Sequence, residues 1–243
     1  MYLLFDIGAT KTRLAICKSV ETKNFTSLQI FDTSQDFSKG VNLIKNYIEN
    51  IVRTEHCSVQ KIIGGLAGPY PNLPKWDKKK LKKELQKICK QVIIKNDADL
   101  AGLVETKFFK NKKAIYLTIS TGIGGNFGEP GQIIIDKKNK KTFEDLVSGR
   151  GMKEIYKKRP EDIKDKKIWD KQTKLLAQGL NKVIVNTHPD VIILGGGLMN
   201  KFVISKIKIE LAKIIKDDLC MPKIIKSKYK DLSGIYGALE LIR

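Results

Sequence analysis

An amide and a carboxylate stand side by side where a predicted strand gives way to a predicted helix. Asn96 and Asp97 follow the apolar segment 91–95, and a helical pattern begins at about Asp99. A carboxylate at such a junction can accept the proton of an alcohol during phosphoryl transfer. The position equally favours helix capping, by Asp97 or by Asp99. Taken alone, this segment favours capping, and a catalytic interpretation needs a phosphate site as well.

A glycine-containing turn directly after the first predicted strand could supply that phosphate site. The segment 6–13 reads DIGATKTR, in which glycine and small hydroxyl residues let backbone N–H groups approach phosphate oxygens. Asp6, at the strand end, can hold a hydrated magnesium ion. The pattern is not a Walker loop, because GxxxxGKS is absent, and an ordinary hairpin is the alternative. The predicted nucleotide-binding residues of this segment are Asp6, Gly8, Ala9, Thr10, Lys11 and Thr12.

Two more glycine-rich turns follow predicted strands in the second half of the chain. The segment 120–125 reads STGIGG and would form a second phosphate-binding hairpin, while 195–197 is a run of three glycines against which an adenosine could lie. An ordinary turn is the alternative for each. Because two phosphate motifs support each other, we interpret Asp97 as a general base. The predicted nucleotide-binding residues here are Thr121, Gly122, Gly124, Gly195, Gly196 and Gly197.

The elements that must position these residues alternate between strands and helices in both halves. Such alternation predicts an α/β protein in which two lobes enclose an active-site cleft. We expect an N-terminal lobe of residues 1–109, completed by a helix at 232–243, and a C-terminal lobe of residues 110–231. The predicted strands are 2–6, 13–18, 25–31, 61–66, 91–95, 114–120 and 191–194, and the predicted helices are 41–51, 78–89, 99–109, 169–186, 199–215 and 234–242.

The composition is that of a globular protein with a strong positive charge. Of the 243 residues, 42% are hydrophobic and 30% are charged, and the formal net charge is +20. A basic surface can attract nucleic acid, but the excess is almost all lysine, with only five arginines and without aromatic residues interleaved in the lysine runs. We therefore predict solvated surfaces and no nucleic-acid partner, although the charge can help to recruit an anionic nucleotide.

Neither a membrane span nor a structural metal site is predicted. No apolar run is long enough to cross a bilayer, and Asp6 interrupts the apolar start before a signal-peptide core could form. The expected location is therefore cytoplasmic, with no membrane partner. The four cysteines are scattered, with no CxxC pair and only two histidines to join them, so neither a zinc cluster nor a disulfide framework is expected.

The order of these motifs resembles that of the ROK family (repressors, open reading frames and sugar kinases) and, more distantly, of bacterial glucokinases. The resemblance runs over nearly the whole chain. It rests on DxGxTKT at 6–12, AGP at 67–69, NLPKW at 72–76, NDADLAGLVE at 96–105, TGIGG at 121–125, GExG at 128–131, ExxxSG at 144–149, and C-terminal motifs at 195–197 and 234–238.

The resemblance implies a two-lobed kinase of the ribonuclease H-like, actin-like ATPase fold that uses ATP and Mg²⁺ to phosphorylate a hexose or amino-hexose. Its partners would be a small-molecule sugar and ATP, and a homodimer is one oligomeric state that such kinases allow. The resemblance places the base on Asp97, in agreement with the interpretation from the residues. The sugar-binding residues that it implies are Gly68, Asn72, Asn96, Asp97, Glu129, Gln132 and Glu144.

Departures from the family pattern concern the sugar more than the phosphates. The family usually has a histidine after GExG that contacts the sugar and, in many members, ligates zinc, whereas this chain has Gln132. The CxCGxxGC zinc motif is missing, and between Gly125 and Gly128 the chain skips a hairpin. Ala9 replaces the second glycine of the phosphate loop, which requires a negative φ at that residue.

Two functions other than sugar phosphorylation stay open at the level of sequence. With Gln132, the protein could be a catalytically silent regulator that binds sugar and nucleotide without turnover. A repressor with a DNA-binding segment ahead of the phosphate loop is not expected, because only five residues precede Asp6. An actin-like assembly ATPase is disfavoured, because a hydrolase needs no sugar cradle such as Asn96, Glu129 and Glu144.

Overall fold

Two compact units make up the chain in the computed structural model. Unit 1 comprises Met1–Val104 and Leu232–Arg243, and unit 2 comprises Glu105–Asp231. Each unit has its own sheet and its own buried apolar core. The residues that the structure describes are 1–19, 24–67, 73–216 and 219–242.

The first change of unit lies at 104/105, whereas the sequence suggested 109/110. Glu105 explains the difference, because it is buried and its carboxylate binds the backbone near the C-terminal end of unit 2. Its two carboxylate oxygens accept hydrogen bonds from the backbone N–H groups of Lys228 and Tyr229, at 2.9 and 3.0 Å. A buried carboxylate needs such donors, so Glu105 and the residues after it belong with the segment around Lys228.

The helices and strands are numbered here in chain order. Those up to residue 106 are β1 (Tyr2–Ile7), β2 (Lys11–Cys17), β3 (Ser27–Asp32), α1 (Phe37–Glu55), β4 (Lys61–Leu66), α2 (Lys78–Gln86), β5 (Val92–Asn96) and α3 (Asp97–Thr106). Those that follow are β6 (Ala114–Ile119), β7 (Ile123–Gly125), β8 (Ile134–Asp136), β9 (Lys141–Thr142), α4 (Phe143–Val147), α5 (Gly149–Tyr156), α6 (Lys166–Thr187), β10 (Val191–Gly195), α7 (Ile204–Ala212), β11 (Lys223–Lys226) and α8 (Ser233–Glu240).

The sheet of unit 1 has five strands in the order β3-β2-β1-β4-β5. β1, β2 and β3 form an antiparallel meander, and β4 and β5 continue the sheet parallel to β1. β1 and β4 lie in the middle and are almost wholly buried, as expected for near-continuous apolar runs. The C-terminal helix α8 packs on β1 and β4, so the chain ends by completing unit 1.

α1 contributes buried residues to the core of unit 1 and packs against Trp76 of the NLPKW motif. It begins four residues before the predicted start, because Asp36 caps it by accepting the N–H of Lys39 at 2.9 Å. The buried ring of Trp76 lies against Gly40, where a side chain would collide with it, and its Nε1–H donates to the carbonyl of Ser34 at 2.9 Å. Trp76 therefore fixes the chain just after the segment 68–72.

The sheet of unit 2 has four strands in the order β11-β10-β6-β7. β6 and β7 form an antiparallel hairpin, and β10 and β11 run parallel to β6. β7 has only three residues, and within the described part of unit 2 no further strand pairs with its outer side. This agrees with the hairpin that the sequence skips between Gly125 and Gly128, which are joined only by an isolated bridge.

In unit 2, α4 and α5 lie beside the β6–β7 hairpin. α6 approaches α4 closely because Gly179 leaves room for the buried ring of Phe143. The predicted helix 199–215 is wrong at its start: the chain forms a 3-10 turn at Gly197–Asn200, and α7 begins only at Ile204. The buried residue Phe202 lies between the two. Within the described ranges, none of the helices combines the length and apolar character needed to cross a bilayer.

Candidate active site

Asp97 lies at the carboxyl end of the parallel strands of unit 1. The register pairs Asp6 of β1 with Gly65 of β4, and Gly65 with Lys95 of β5, two residues before Asp97. Gly65 makes room for the start of α3, because a Cβ there would lie 2.9 Å from the Cα of Asp97. Neighbouring strands are about 4.8 Å apart, so the ends of β1 and β5 are separated by about 10 Å. The register therefore brings Asp6 and Asp97 to one edge of the sheet.

Helix α3 is capped mainly by Asn96. The Oδ1 atom of Asn96 accepts the backbone N–H groups of Ala98 and Asp99, at 2.9 and 3.2 Å. The Oδ1 atom of Asp97 shares the N–H of Ala98 at 2.9 Å. The cap expected at Asp97 or Asp99 thus falls mainly on Asn96, a residue that the resemblance assigned to the sugar.

The carboxyl group of Asp97 has an unusual proton affinity. Its pKa is raised to about 6, mainly by burial; the N–H of Ala98 lowers the pKa in part, and the nearby charge of Asp99 makes a smaller raising contribution. The residue still keeps partial exposure at the surface. A carboxylate whose pKa lies near neutrality, and which a ligand can reach, suits a general base.

The segment Gly8–Lys11, which joins β1 to β2, is the first of the two loops predicted to bind phosphate and is called here the first phosphate loop. Its carbonyl oxygens all accept hydrogen bonds from the protein. Gly8 N–H donates to the carbonyl of Lys11 at 3.0 Å, and Thr33 donates through its hydroxyl to Gly8 O at 2.8 Å and through its N–H to Thr10 O at 2.9 Å. Gln35 Nε2 donates to Ala9 O at 3.3 Å. Thr33 and Gln35 thus donate hydrogen bonds to the carbonyl oxygens of residues 8–10, which would keep these oxygens from repelling a bound phosphate.

The side chains of this loop differ in what they can offer a nucleotide. Lys11 forms an ion pair with Asp32, with 2.6 Å between Nζ and Oδ1. Thr12 is buried, and its hydroxyl is 2.8 Å from that of Thr33. The backbone at Ala9 keeps a negative φ, which meets the condition set by its methyl group. A Cβ at Gly8 would meet only the carbonyl of Lys11, at an ordinary 3.4 Å, so packing within the chain does not require glycine there.

Asp6 fits a magnesium ion that takes most of its ligands from water and phosphate. Its carboxylate is nearly buried, lies 3.6 Å from Nη1 of Arg13, and packs against Gly234, where a Cβ would lie 2.6 Å from Cγ. One carboxylate beside a phosphate loop is a usual donor set for Mg²⁺. Across the described ranges, no three His, Cys, Asp or Glu side chains group closely enough to hold a metal ion by themselves.

The second phosphate loop, residues Ser120–Gly122, joins β6 to β7 in unit 2. Ser120 N–H donates to the carbonyl of Gly122 at 2.9 Å, which closes the turn. The N–H groups of Gly149 and Arg150 donate to the carbonyls of Ser120 and Thr121, at 2.7 and 3.0 Å. Gly149 allows this approach, because a Cβ there would already lie 3.2 Å from Ser120 O. The start of α5 therefore holds this loop by its carbonyls.

Glu144 closes the other end of the second loop. Its Oε2 accepts the N–H of Ile123 at 2.7 Å, and its Oε1 lies 2.6 Å from Nη2 of Arg150. Gly131 of the GExG motif packs directly on this carboxylate, since a Cβ there would lie 3.1 Å from Oε2 and 2.6 Å from the carbonyl of Ile123. The motifs TGIGG, GExG and ExxxSG thus meet at one buried carboxylate.

The sequence profile of the ROK family matches residues 2–243. The chain belongs to the ROK family. A curated relative, the N-acetyl-D-glucosamine kinase of Photobacterium profundum, is 24% identical over an alignment that covers 99% of each chain. That alignment has 302 positions although this chain has 243 residues, so the relative carries segments that this chain lacks.

Two further proteins are similar to this chain. The polyphosphate glucokinase of Mycobacterium tuberculosis is 33% identical over 117 residues, which cover 46% of this chain and 42% of the relative. A ROK family glucokinase from Streptomyces griseus, solved with glucose and AMPPNP, superposes with a TM-score of 0.76 at 18% identity and 98% coverage of both chains. The expected family and the expected actin-like ATPase fold class are confirmed.

The residues that ROK resemblance assigns to the sugar fall into different settings. Glu129 and Gln132 are exposed at the two ends of the 3-10 turn Pro130–Gln132 in unit 2. Glu144 is buried behind that turn with both oxygens engaged. The predicted residues Gly68 and Asn72 lie outside the described residues.

The triple glycine after β10 serves the fold at two of its three positions. A side chain at Gly195 would collide with the phenol ring of Tyr116, and Gly196 has a φ of 90°, which side chains disfavour. Gly197 has open space around the position of a Cβ. The adenosine interpretation is therefore best matched by Gly197, while the turn interpretation explains the other two. Gly124 lies within β7, paired with Thr118.

Sequence reasoning missed the residues that support the loops. Thr33, Gln35 and Arg150 touch the loops from segments distant in the chain, and none belongs to a motif on which the ROK resemblance rests. One signal was available for Arg150: in a chain with 46 basic residues, only five are arginine. Two of those five, Arg13 and Arg150, pair with buried carboxylates beside the phosphate loops.

Proposed function

We propose that the protein is an ATP-dependent kinase that phosphorylates a hydroxyl group of a hexose or amino-hexose, with Asp97 as the general base. The observation that carries the proposal is the position of Asp97, at the sheet edge where the first phosphate loop also begins, with a pKa near 6. Membership of the ROK family and the similarity to an N-acetyl-D-glucosamine kinase support the same function.

In the proposed reaction, a carboxylate oxygen of Asp97 takes the proton of a sugar hydroxyl as that oxygen attacks the γ-phosphorus of ATP. The new O–P bond forms while the bond from the γ-phosphorus to the β,γ-bridging oxygen breaks, which gives a sugar phosphate and ADP. Asn96 keeps the start of α3 in place by capping it, so the carboxylate stays oriented. General-base assistance of this kind contributes about 10²- to 10⁴-fold to the rate.

The two phosphate loops would bind the donor through backbone N–H groups. Their carbonyl oxygens are already occupied by the protein, so the loops need little rearrangement before a polyphosphate chain binds. Asp6 would hold Mg²⁺ through water, and the ion when bound would neutralise part of the charge on the donor phosphates.

Glu129 and Gln132 are the proposed sugar contacts of unit 2. Both are exposed at the ends of one short turn, where a carboxylate and an amide can hydrogen-bond to neighbouring hydroxyl groups. Glutamine both donates and accepts hydrogen bonds, so Gln132 can replace the polar contact of a histidine without binding zinc.

A coupled assay of ADP release tests the proposal. Glucose, fructose, mannose, N-acetylglucosamine and N-acetylmannosamine are offered in turn with ATP and Mg²⁺, beside a reaction without sugar and beside Asp97→Asn. Inorganic polyphosphate is offered as an alternative donor in a separate reaction that measures the sugar phosphate formed, because one relative is named for it. We expect ADP release that depends on one of these sugars and that Asp97→Asn abolishes.

Release that ignores the sugar would instead indicate an ATPase and would refute the kinase. Tight sugar and nucleotide binding with no turnover on any sugar or donor would favour the silent regulator.

A further inference from the structure

We infer that Thr33 is a positioning residue for the phosphoryl donor, because it fixes the directions of the peptide groups in the first phosphate loop. The hydroxyl group of Thr12 then supports that of Thr33 and does not contact phosphate. This inference rests on the proposed function and deepens it, since it assigns part of the donor site to a residue outside the loop motif. It concerns contacts within unit 1 alone.

The segment 33–35 determines where the N–H groups of the first loop point. It holds three successive carbonyl oxygens, those of Gly8, Ala9 and Thr10, at 2.8, 3.3 and 2.9 Å. A trans peptide group is planar, so the carbonyl of one residue and the N–H of the next point to opposite sides. The N–H groups of Ala9, Thr10 and Lys11 are therefore directed away from this segment. Successive N–H groups directed in this way form an anion-binding concavity.

Thr33 makes two of these three contacts, and its hydroxyl group belongs to a pair whose donor can be identified. The hydroxyl donates to the carbonyl of Gly8, which can only accept. Because a threonine hydroxyl has a single proton, the 2.8 Å contact between the hydroxyl oxygens of Thr12 and Thr33 needs the proton of Thr12. Thr12 is buried, so its proton is directed into unit 1 and is not offered to a phosphate.

The core of unit 1 holds the segment 33–35 in place. The carbonyl of Ser34 accepts the Nε1–H of the buried Trp76 at 2.9 Å. The hydroxyl of Ser34 donates to the carbonyl of Asp36 at 3.0 Å and accepts its N–H at 3.2 Å, and Asp36 caps α1. Thr33 itself is buried. Its position is thus set by contacts of the fold, which lets it act as a fixed support for the loop.

Loss of the Thr33 hydroxyl would change the donor site through a shared peptide group. The carbonyl of Gly8 and the N–H of Ala9 belong to one plane, so they turn together. Without the hydroxyl, this carbonyl loses the donor that holds it, and the N–H of Ala9 loses its fixed direction. Glycine at position 8 permits such a rotation on its own side of the peptide group. Donor affinity should therefore fall while the sugar site is left as it is.

The test removes single hydroxyl groups and measures donor and sugar separately. Thr33→Val keeps the shape of the side chain and the backbone N–H but loses the hydroxyl, and Thr33→Ser keeps the hydroxyl. Thr12→Val removes the other member of the pair. Thr173→Val is the matched control, because it removes a buried hydroxyl that binds the carbonyl of Trp169 within α6. Affinity for a fluorescent ATP analogue is titrated without sugar, and KM is then determined for ATP and for the best sugar, with the melting temperature of each variant.

We expect Thr33→Val to weaken ATP-analogue binding and to raise the KM for ATP about tenfold, with the KM for sugar within about twofold of native. Thr33→Ser should bind the analogue within about twofold of native, because it keeps the donor to Gly8. Thr12→Val should lose less affinity than Thr33→Val, since the hydroxyl of Thr33 still holds the loop. Thr173→Val should bind both ligands as the native protein does.

A greater loss of analogue affinity in Thr12→Val than in Thr33→Val would overturn the inference and make Thr12 a phosphate contact. Unchanged analogue binding in Thr33→Val would overturn it as well, and so would an equal loss of both affinities that follows a lowered melting temperature. Analogue binding needs no turnover, so the proposed function is tested separately. A protein that binds the analogue in this pattern but phosphorylates no sugar would refute the kinase and support the role of Thr33.

Discussion

The sheets of the two units share a plan but differ at one edge. In both, a hairpin is followed by two strands parallel to its first strand, so that β2-β1-β4-β5 corresponds to β7-β6-β10-β11. Unit 1 adds the third meander strand β3, whereas the described part of unit 2 pairs nothing with the outer side of β7. The two phosphate loops occupy the same place in this plan, the turn between the two strands of the hairpin.

This difference changes what holds each loop. In unit 1 the residues just after β3, Thr33 and Gln35, bind the loop carbonyls. In unit 2, where the described residues include no such strand, the start of α5 binds the loop carbonyls and the carboxylate of Glu144 accepts the N–H of Ile123. The carbonyl groups of both loops are thus hydrogen-bonded within the protein, by residues after a strand in unit 1 and by a helix start in unit 2.

The outer strands also end differently. β5 leads into Asp97, the proposed base, while β11 leads into Ser227. The Oγ atom of Ser227 is buried and makes no hydrogen bond within the described residues, and its N–H donates to Leu194 O at 2.9 Å. The outer strand of unit 1 therefore leads to the proposed base, and that of unit 2 leads to a buried serine.

The largest expected effect tests this asymmetry at the outer strands. Asp97→Asn should lower kcat about 10²- to 10⁴-fold, because the amide cannot accept the sugar proton. Ser227→Ala should leave kcat within about twofold, because it removes a hydroxyl without a partner. Steady-state kinetics with the best sugar measures both variants. Similar losses in the two variants would break the comparison.

A measurement of the stability of Asp97→Asn distinguishes its loss of kcat from a failure to fold. The pKa of Asp97 is about 6 in the folded protein against about 3.9 in an unfolded chain. Between these values the folded state binds more protons, so stability declines as pH rises from about 4 to 6 and stays lower above that. Asp97→Asn avoids this decline. It should be more stable than native by about 1–2 kcal/mol at pH 7.5, and about equal at pH 4, by urea unfolding.

The next effect concerns the pH dependence of activity. A base with a pKa near 6 is active only when deprotonated, so kcat/KM should fall about fivefold between pH 6 and pH 5. The pH profile of the native enzyme checks this, with melting temperatures recorded at each pH. A profile that stays flat down to pH 4.5 would mean that the proton acceptor is not this carboxylate.

The smallest effect concerns the missing strand of unit 2. Asn126, just after the short strand β7, continues the pairing with β6: its Oδ1 accepts the N–H of Tyr116 at 2.8 Å, and its own N–H donates to the carbonyl of Tyr116 at 3.3 Å. Asn126→Ala should lower the free energy of unfolding by about 1–2 kcal/mol, because that N–H is left without its partner. KM for ATP should hardly change, since other residues hold the loop.

Urea unfolding measures this variant, with Asn126→Asp as the control that keeps the acceptor oxygen. If Asn126→Ala raised the KM for ATP without loss of stability, the side chain would belong to the support of the loop and not to that of the sheet.

The sequence predicted the parts of the site that depend on local pattern. Buried apolar runs located β1, β4, β5, β6 and β10, and glycines after β1 and β6 located both loops. The junction at Asp97 followed from the change of pattern at the end of β5. The cap at Asn96 is also a local feature, because asparagine is a favoured cap, but only the acidic residues Asp97 and Asp99 were predicted to cap α3.

The rest depended on contacts between distant segments. Thr33 meets Gly8 across 25 residues, and Glu144 meets Ile123 across 21, so no short pattern announces either contact. β11 has the sequence KIIK and is not among the predicted strands, because a four-residue segment with a lysine at each end is also typical of a loop. The roles assigned to Glu129, Gln132 and the glycines of the loops stay predictions.

The brevity of β7 has a consequence for how copies of this protein behave toward one another. An open sheet edge offers unpaired N–H and C=O groups to neighbouring chains and favours aggregation. β7 exposes only three residues of such an edge, and Asn126 occupies the next donor and acceptor on β6. At the opposite edge, β11 carries the exposed residues Lys223 and Lys226, whose charges repel an identical strand. Within the described part of unit 2, both edges of this sheet are therefore poor templates for pairing with another copy of the chain.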